Sequence, residues 1–269
     1  MIVVLGDLMV DVVTVHDGPL AHGSDTAARI SLRPGGSGGN VAAWLARAGA
    51  DVTLIGRVGD DALADVALKG LDGVDVRVTR DPERPTGTCV VLVAPGGERT
   101  MLPDPGANDA LEVPDFAGDV LHVSGYMLLR PGSRGAALAA IDRARDAGMK
   151  VSVDPASAAP LANDPVFLQR IAPIDLLLPN EDEAAVLGPQ IGVPELVVTR
   201  GAAGASWTDG VRTVDERAVP SDDVLDTTGA GDAFAAGFLS AWPGPPQAAL
   251  HAGVRLAAQA VGHYGGRPV

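Results

Sequence analysis

The chain has 269 residues, of which 46% are hydrophobic and 3% are aromatic, and its formal net charge at pH 7 is −14. This length and apolar content are sufficient for one large domain with an aliphatic core. The negative charge argues against nucleic acid or an anionic membrane as a partner. The single cysteine, Cys89, excludes an internal disulfide and indicates a cytoplasmic protein. Asp7 and Asp11 interrupt the N-terminal apolar run, which predicts that it is not a signal peptide.

Short apolar runs recur along the chain, and helical patterns follow several of them. The runs lie at residues 2–5, 52–55, 120–123, 151–154, 176–178 and 196–199. Helices are predicted at about 41–48, from 62, at 134–147, from 180, at 233–239 and at 247–262. This alternation, at roughly 30-residue spacing, is typical of βαβ units. It predicts an α/β fold, and in such folds ligands bind at the carboxyl ends of parallel strands.

Two further β-rich segments interrupt this alternation. Residues 10–15 and 28–32 form one pair of predicted strands, and 88–93 and 99–102 form a hairpin with a turn at 95–97. No helix follows the hairpin, so these segments predict a small sheet separate from the main body. A partly apolar sheet of this size is not stable alone in water. It must cover something or pair with another copy of itself.

The segment 226–232 combines small residues with two aspartates and leads into the helix at 233–239. Small residues let the backbone approach a ligand, and the first N–H groups of a helix are unpaired and attract anions. The acid that ends this segment, Asp232, has three interpretations. It serves proton chemistry, or binds a metal, or only stabilises the start of the helix.

A glycine cluster at 35–39 precedes Asn40 and a helix that Gly49 ends. Asn40 either caps this helix or donates to a small polar ligand lying against the glycines. The cluster is neither a Walker A motif, which needs Gly-Lys, nor the dinucleotide fingerprint, which needs glycine where Val41 stands. Further along, Asn180 and Glu183 have the spacing of a helix capping box.

In combination, these segments resemble the ribokinase-like (phosphofructokinase-B) family of carbohydrate kinases. Residues 35–49 are similar to the first family signature and residues 226–234 to the second. Lesser motifs occur in the family's order, at 56–61, at 97–100, at Asn180 with Glu183, and at Thr199 with Gly201 and Gly204. The resemblance implies one domain over 1–269, with a three-layer, doubly wound, mostly parallel sheet. It also implies that residues of about 10–33 and 86–102 form a β-sheet lid over the sugar.

The resemblance also implies roles for individual residues in the reaction. Asp232 aligns with the catalytic base, which also contacts the substrate hydroxyl. The amides of Gly229, Ala230 and Gly231 align with an anion hole for the transferred phosphoryl group. Sugar contacts are implied for Asp11, Gly35, Gly36 and Asn40.

ATP and Mg²⁺ are the implied cofactors, with K⁺ as a further candidate. Asn180 and Glu183 align with the residues that organise Mg²⁺ through water. Asp226 and Thr228 match the segment that holds K⁺ in many family members. The nucleotide is expected to contact the following residues: Asn180, Thr199, Gly201, Gly204, Gly229 and Gly231.

The expected activity is ATP-dependent phosphorylation of a primary hydroxyl on a small sugar that is ribose-, fructose- or keto-deoxy-sugar-like. Two alternatives remain, a nucleoside kinase of the same family and a non-catalytic sugar-binding or regulatory protein. The chain departs from the family pattern at positions such as Ala203 and Gly125-Tyr126. These departures leave the identity of the substrate open but do not affect the expected reaction. A homodimer formed through the lid is expected, since ribokinase lids form dimer interfaces.

Overall fold

A computed structural model describes residues 1–94, 99–221 and 224–268. The strands of its larger sheet are β1 (Ile2–Leu5), β4 (Val52–Gly59), β5 (Asp75–Asp81), β8 (Val120–Ser124), β9 (Lys150–Asp154), β10 (Leu176–Leu177), β11 (Glu195–Thr199), β12 (Ala205–Thr208) and β13 (Thr213–Glu216). Their spatial order is β13-β12-β11-β10-β9-β8-β1-β4-β5. All neighbours from β11 to β5 are parallel, whereas β12 and β13 are antiparallel additions. The predicted α/β fold with a mostly parallel sheet is therefore confirmed.

The helices cover both faces of this sheet. They are α1 (Ser37–Arg47), α2 (Ala62–Ala67), α3 (Gly125–Leu129), α4 (Pro131–Asp146), α5 (Ala158–Leu161), α6 (Phe167–Ile171), α7 (Glu181–Leu187), α8 (Ala230–Ala241) and α9 (Pro246–Ala260). Buried side chains of α1, α2, α8 and α9 form one core with the sheet, and those of α3 to α6 form a second core on the opposite face. The result is three layers. Among the described residues, no helix is both long and apolar enough to cross a membrane.

A separate four-stranded sheet contains β2 (Met9–His16), β3 (Ala28–Gly35), β6 (Gly87–Val93) and β7 (Arg99–Asp104) in the order β3-β2-β6-β7. It matches the predicted small sheet. The predicted turn at 95–97 and the first two residues of the motif at 97–100 lie outside the described residues. Asp11 and Cys89 are register partners on one face of this sheet, and both are buried. The opposite face exposes Ile30, Leu32 and Leu102.

Several elements have no counterpart among the predicted ones, namely β5, β12, β13, α3, α5 and α6. The strand β5 carries alternating charged residues and lies at the edge of the sheet, so it lacks the apolar run that marks a buried strand. The helices α3, α5 and α6 have only four or five residues, which is too short for a helical period to be detected. Tertiary packing therefore determines these elements.

Phe167 tests the contribution of the unpredicted helix α6 to stability. Its side chain is 1% exposed and belongs to the second core, so truncation removes apolar burial and leaves a cavity. We expect Phe167→Ala to lower the free energy of unfolding by about 3–5 kcal/mol, measured by urea denaturation. Val211→Ala, at a residue that is 92% exposed, is the control and should change it by less than about 0.5 kcal/mol. Equal effects of the two substitutions would contradict the packing of α6.

Candidate active site

The site lies at the carboxyl edge of the large sheet, where the ends of its parallel strands meet. Residues that follow β1, β8, β9, β10 and β11 line one cavity there, of about 540 Å³, and the small sheet covers it with its buried face. These residues are, in strand order, Asp7, Tyr126, Asp154, Asn180 and Thr199, the last of which ends β11. The position agrees with the rule for ligand sites in open α/β sheets.

Asp232 lies in the first turn of α8, and hydrogen bonds orient both of its carboxylate oxygens. Ser37 Oγ donates to Oδ1 at 2.8 Å, and Asn40 Nδ2 donates to Oδ2 at 2.8 Å. Burial raises the pKa of Asp232 to about 7; the hydrogen bonds from Asn40 and Ser37 oppose the shift, and the nearby charges of Asp7 and Asp11 add to it. A carboxyl group that titrates near neutrality can accept a proton under ordinary conditions.

Asn40 does not cap α1, because the helix begins three residues earlier, at Ser37, with Gly36 in the N-cap position. The capping interpretation is therefore wrong. The Asn40 side chain is buried and points to Asp232, and its Oδ1 has no hydrogen-bond partner. A buried carbonyl oxygen without a partner is uncommon in folded proteins.

The start of α8 provides backbone N–H groups beside Asp232. Gly229 is the N-cap residue with φ 74°, and a Cβ atom there would come within 2.5 Å of the Gly266 backbone. Glycine is required at this position for both reasons. Within the described residues, the N–H groups of Gly229 and Gly231 have no hydrogen-bond partner, whereas the N–H of Ala230 donates to the Thr227 carbonyl at 3.3 Å. Two unpaired donors thus lie at a helix N-terminus, a position that favours anions.

A second cavity, of about 610 Å³, adjoins the first. Thr199, Thr227, Gly231 and Phe234 line both cavities. The second one is largely apolar, and Gly201, Gly204 and Ala230 contribute to its wall together with Val254, Ala257 and Val261. Two adjoining cavities that share a helix N-terminus can hold two substrates with an anionic group between them.

Asn180 and Glu183 form the predicted capping box of α7. Asn180 Oδ1 accepts from the Glu183 N–H at 2.9 Å, and Glu183 Oε2 accepts from the Asn180 N–H at 2.9 Å. Glu183 is buried, and burial raises its pKa although the Asn180 N–H and Nδ2 both donate to its carboxylate. Burial and the charge of Glu183 raise the pKa of Asp154 strongly. Two neighbouring carboxylates in a partly buried site suit a divalent cation with oxygen ligands, so the residues present fit Mg²⁺.

Asp226 lies behind the first cavity rather than in its wall. Its Oδ1 contacts Arg99 Nη2 at 2.6 Å and the Thr228 N–H at 2.7 Å, and its Oδ2 accepts from the Gly265 N–H at 3.0 Å. Burial opposes ionisation of Asp226, but these hydrogen bonds and the Arg99 charge hold its pKa below the usual value. Arg99 Nη1 also donates to Thr228 Oγ1 at 2.8 Å, which joins the small sheet to the start of α8.

The structure brings nearly all of the predicted site residues to these two cavities. Asp11, Gly36, Asn40, Thr228 and Asp232 line the first, and burial, followed by the charge of Asp7, raises the pKa of Asp11 to about 6. Gly35 lies outside both cavity walls and its carbonyl accepts from Arg267. Cavity residues to which the sequence analysis assigned no role include Ser37, Arg130 and Asp154. Two of them had a signal, since Ser37 lies in the glycine cluster and Asp154 ends a predicted strand.

A family model described as "pfkB family carbohydrate kinase" matches residues 1–269. The chain belongs to this family. The resemblance drawn from its motifs is thereby confirmed, and the chain is an ATP-dependent sugar kinase.

Individual relatives agree with the family assignment. The chain is 34% identical to a fructokinase of Klebsiella pneumoniae, over 88% of this chain and 82% of the relative. It is 30% identical to the ribokinase of Bacillus subtilis, over 89% and 85% of the two chains. The crystal structure of adenosine kinase from Sinorhizobium meliloti superposes with a TM-score of 0.86 at 23% identity, covering 100% of this chain and 95% of that one. This last likeness shows the shared fold.

The raised pKa of Asp232 has a consequence for stability. Near pH 4 the folded state keeps the proton, while the unfolded carboxyl, whose pKa is 3.8, is only about half ionised, so the residue contributes little. As the pH rises towards 7, the unfolded state ionises first, and the folded state loses stability relative to it. We therefore expect Asp232→Asn to increase the free energy of unfolding by about 1–3 kcal/mol at pH 8, with little change at pH 4.

Urea denaturation at the two pH values measures this difference, with Asp72→Asn as the control at an exposed position. The same change at both pH values would contradict the elevated pKa of Asp232.

Proposed function

We propose that this sugar kinase transfers the γ-phosphoryl group of ATP to a primary hydroxyl of a small ribose-, fructose- or keto-deoxy-sugar-like substrate, with Asp232 as the general base. The observation that carries the proposal is the position of Asp232. Its carboxylate is held by Ser37 and Asn40 in the first cavity, beside the N–H groups at the start of α8 and next to the second cavity.

In this mechanism the sugar lies in the first cavity beneath the small sheet. Asp11 accepts hydrogen bonds from sugar hydroxyl groups, and Asn40 lines the same cavity. As the reacting oxygen attacks the γ-phosphorus, its proton moves to the Asp232 carboxylate, and the bond from the γ-phosphorus to the bridging oxygen breaks, so that ADP leaves with that oxygen. The unpaired N–H groups of Gly229 and Gly231 then stabilise the charge on the transferring phosphoryl group, with the N-terminal dipole of α8 adding to the effect.

The nucleotide occupies the second cavity in this proposal, with Thr199, Gly201 and Gly204 beside it. Most side chains in the wall of this cavity are apolar and small, which suits the flat face of a purine base. Mg²⁺, when bound, neutralises phosphate charge near Asn180 and Glu183, which would hold it through water. The net charge of the chain is −14, so backbone dipoles and this cation take the place of lysine side chains.

Potassium binding at Asp226 and Thr228 stays a prediction. The Arg99 guanidinium already supplies positive charge to the Asp226 carboxylate at 2.6 Å. Binding of K⁺ to this carboxylate would therefore require Arg99 to move away.

The two alternatives receive less support from the site. A nucleoside substrate favours an aromatic face for stacking, but Trp44 is buried, stacks on His263 and does not line the first cavity. Tyr126 does line this cavity, but Arg130 already lies over its ring, with the guanidinium carbon 5.2 Å from the ring centre. A non-catalytic sugar-binding protein has no need of an oriented carboxylate beside unpaired amide groups, and both features are present.

Asp232→Asn tests the proposed base. We expect kcat to fall by about 10²–10⁴-fold, because the proton of the attacking hydroxyl loses its acceptor while the fold persists. The measurement is ATP consumption across a panel of sugars and nucleosides, with Asp72→Asn as the control.

Full activity of Asp232→Asn would exclude Asp232 as the base. Tight sugar binding by the unsubstituted protein without turnover on any substrate would contradict the phosphotransfer itself. A preference for nucleosides over all sugars would favour the nucleoside kinase.

We also propose that two copies associate through the exposed face of the small sheet. One register row across its four strands is entirely apolar, formed by Leu32, Val12, Val90 and Leu102. Leu32 is 51% exposed and Leu102 is 55% exposed. An uncharged patch suits a second copy of this chain, because two molecules with a net charge of −14 each repel one another elsewhere.

A lysine in this row is expected to prevent dimer formation. Leu32→Lys should sediment as a monomer at micromolar concentration, where the unsubstituted protein sediments as a dimer, because two buried ammonium groups would face each other. Val211→Lys is the control, since Val211 is exposed on the turn between β12 and β13. A monomeric mass for the unsubstituted protein would exclude this interface.

A further inference from the structure

Arg267 is a buried arginine that the mechanism above does not use. The residue is 5% exposed. Its Nη2 donates to the Gly35 carbonyl at 3.0 Å and its Nη1 to the Lys69 carbonyl, while its Nε is buried without a hydrogen-bond partner. Within the described ranges, no carboxylate lies within ion-pair distance of this guanidinium. A buried charge with only carbonyl partners is costly to folding.

The residues around Arg267 pack closely against its side chain. In the first turn of α1, a Cβ atom on Gly39 would come within 2.2 Å of Arg267 Nη2. The guanidinium therefore packs closely against residue 39, and a larger residue there would force the Arg267 side chain to shift. The segment just before Arg267 is held on two sides, because Trp44 Nε1 donates to the Gly266 carbonyl and the Gly265 N–H donates to Asp226.

The guanidinium lies beside the acidic wall of the first cavity. Burial lowers the pKa of Arg267 to about 10, and the negative charges of Asp11 and Asp232 act in the opposite direction. The positive charge of Arg267 in turn lowers the pKa of Asp11. The titratable or charged groups that act on Asp11 or Asp232, or are acted on by them, are Asp7, Cys89, Tyr126, Asp154, Asp226 and Arg267. Of these groups, Arg267 is the positively charged one, while Arg99 and Arg130 line the same cavity further along its wall.

We propose that Arg267 is a positioning residue of the reaction, which holds the Gly35 carbonyl beneath the sugar and keeps a positive charge next to Asp11 and Asp232. The inference rests on the proposed function, because it assigns Asp232 to proton transfer. Two effects follow from one side chain. Its donor contact fixes the backbone at Gly35, and its charge favours the ionised forms of the neighbouring Asp11 and Asp232 carboxyl groups, which burial and the charge of Asp7 oppose.

Two substitutions separate the effects. Arg267→Met removes both the charge and the donors, whereas Arg267→Lys retains the charge but cannot reach both carbonyl groups in the same way. Arg47→Met is the matched control, since Arg47 is exposed at the far end of α1. Each variant is assayed for thermal unfolding, for KM with the best sugar, and for kcat/KM against pH.

The acidic limb of the kcat/KM profile reports the ionisation of the carboxyl groups of the free enzyme. For Arg267→Met we expect this limb to move to higher pH by about one unit or more, because the carboxylates lose a nearby positive charge. We also expect KM for the sugar to rise about tenfold. For Arg267→Lys we expect the acidic limb of the unsubstituted protein and a raised KM. Arg47→Met should match the unsubstituted protein in both measurements.

A folded Arg267→Met variant whose acidic limb and KM are unchanged would overturn the proposal. A purely structural role would lower the unfolding temperature and leave the pH profile in place, which would also overturn it. If Arg267→Met does not fold, the Arg267→Lys variant tests the proposal instead. An unchanged KM for the sugar in that variant would contradict the proposal. Absence of turnover by the unsubstituted protein with every sugar is a separate result, and it contradicts the proposed function instead.

Discussion

The contact between Asp232 and the start of α1 is the constraint on which the site depends. Ser37 and Asn40 reach across from the first turn of α1 and donate to the two oxygens of a carboxylate in the first turn of α8. These residues are nearly 200 positions apart in the chain. The two hydrogen bonds orient the carboxylate in the first cavity, next to the start of α8. In the proposed mechanism, this one contact aligns the acceptor hydroxyl, its base and the anion site.

Charge balance explains much of the remaining architecture. Asp7, Asp11, Asp154, Glu183 and Asp232 all line or adjoin one cavity, and burial raises the pKa of Asp11, Asp154, Glu183 and Asp232. Such a set of carboxylates is stable only with compensating positive charge. Arg99 supplies it at Asp226 and Arg267 supplies it near Asp11, while the pair formed by Asp154 and Glu183 has the oxygen donors for a divalent cation. Both arginines also hold backbone segments in place: Arg99 joins the small sheet to the start of α8, and Arg267 donates to the Gly35 carbonyl.

The two faces of the small sheet have different surroundings, and a different role is proposed for each. Its buried face brings Asp11 and Cys89 over the first cavity, and Arg99 at the start of β7 ties the sheet to the loop before α8. Burial raises the pKa of the Cys89 thiol to about 11, so this residue is a packing group rather than a nucleophile. The other face is apolar and exposed. A cover over the substrate and a contact surface for a second copy can thus coexist in four strands.

The sequence by itself determined the alternation of buried strands and helices, the separate small sheet, and the two glycine-containing segments that carry Asn40 and Asp232. Each of these is a local pattern, since apolar periodicity, glycine spacing and short motifs are visible within a few residues. Tertiary structure alone decided that Asn40 contacts Asp232 instead of capping α1 and that Asp154 lies close enough to Glu183 to feel its charge. It also decided that Arg99 pairs with Asp226 and that the charge of Arg267 acts on Asp11. The physical reason is that the pKa of a carboxylate and the cost of a buried guanidinium depend on desolvation and on neighbours that only folding brings together.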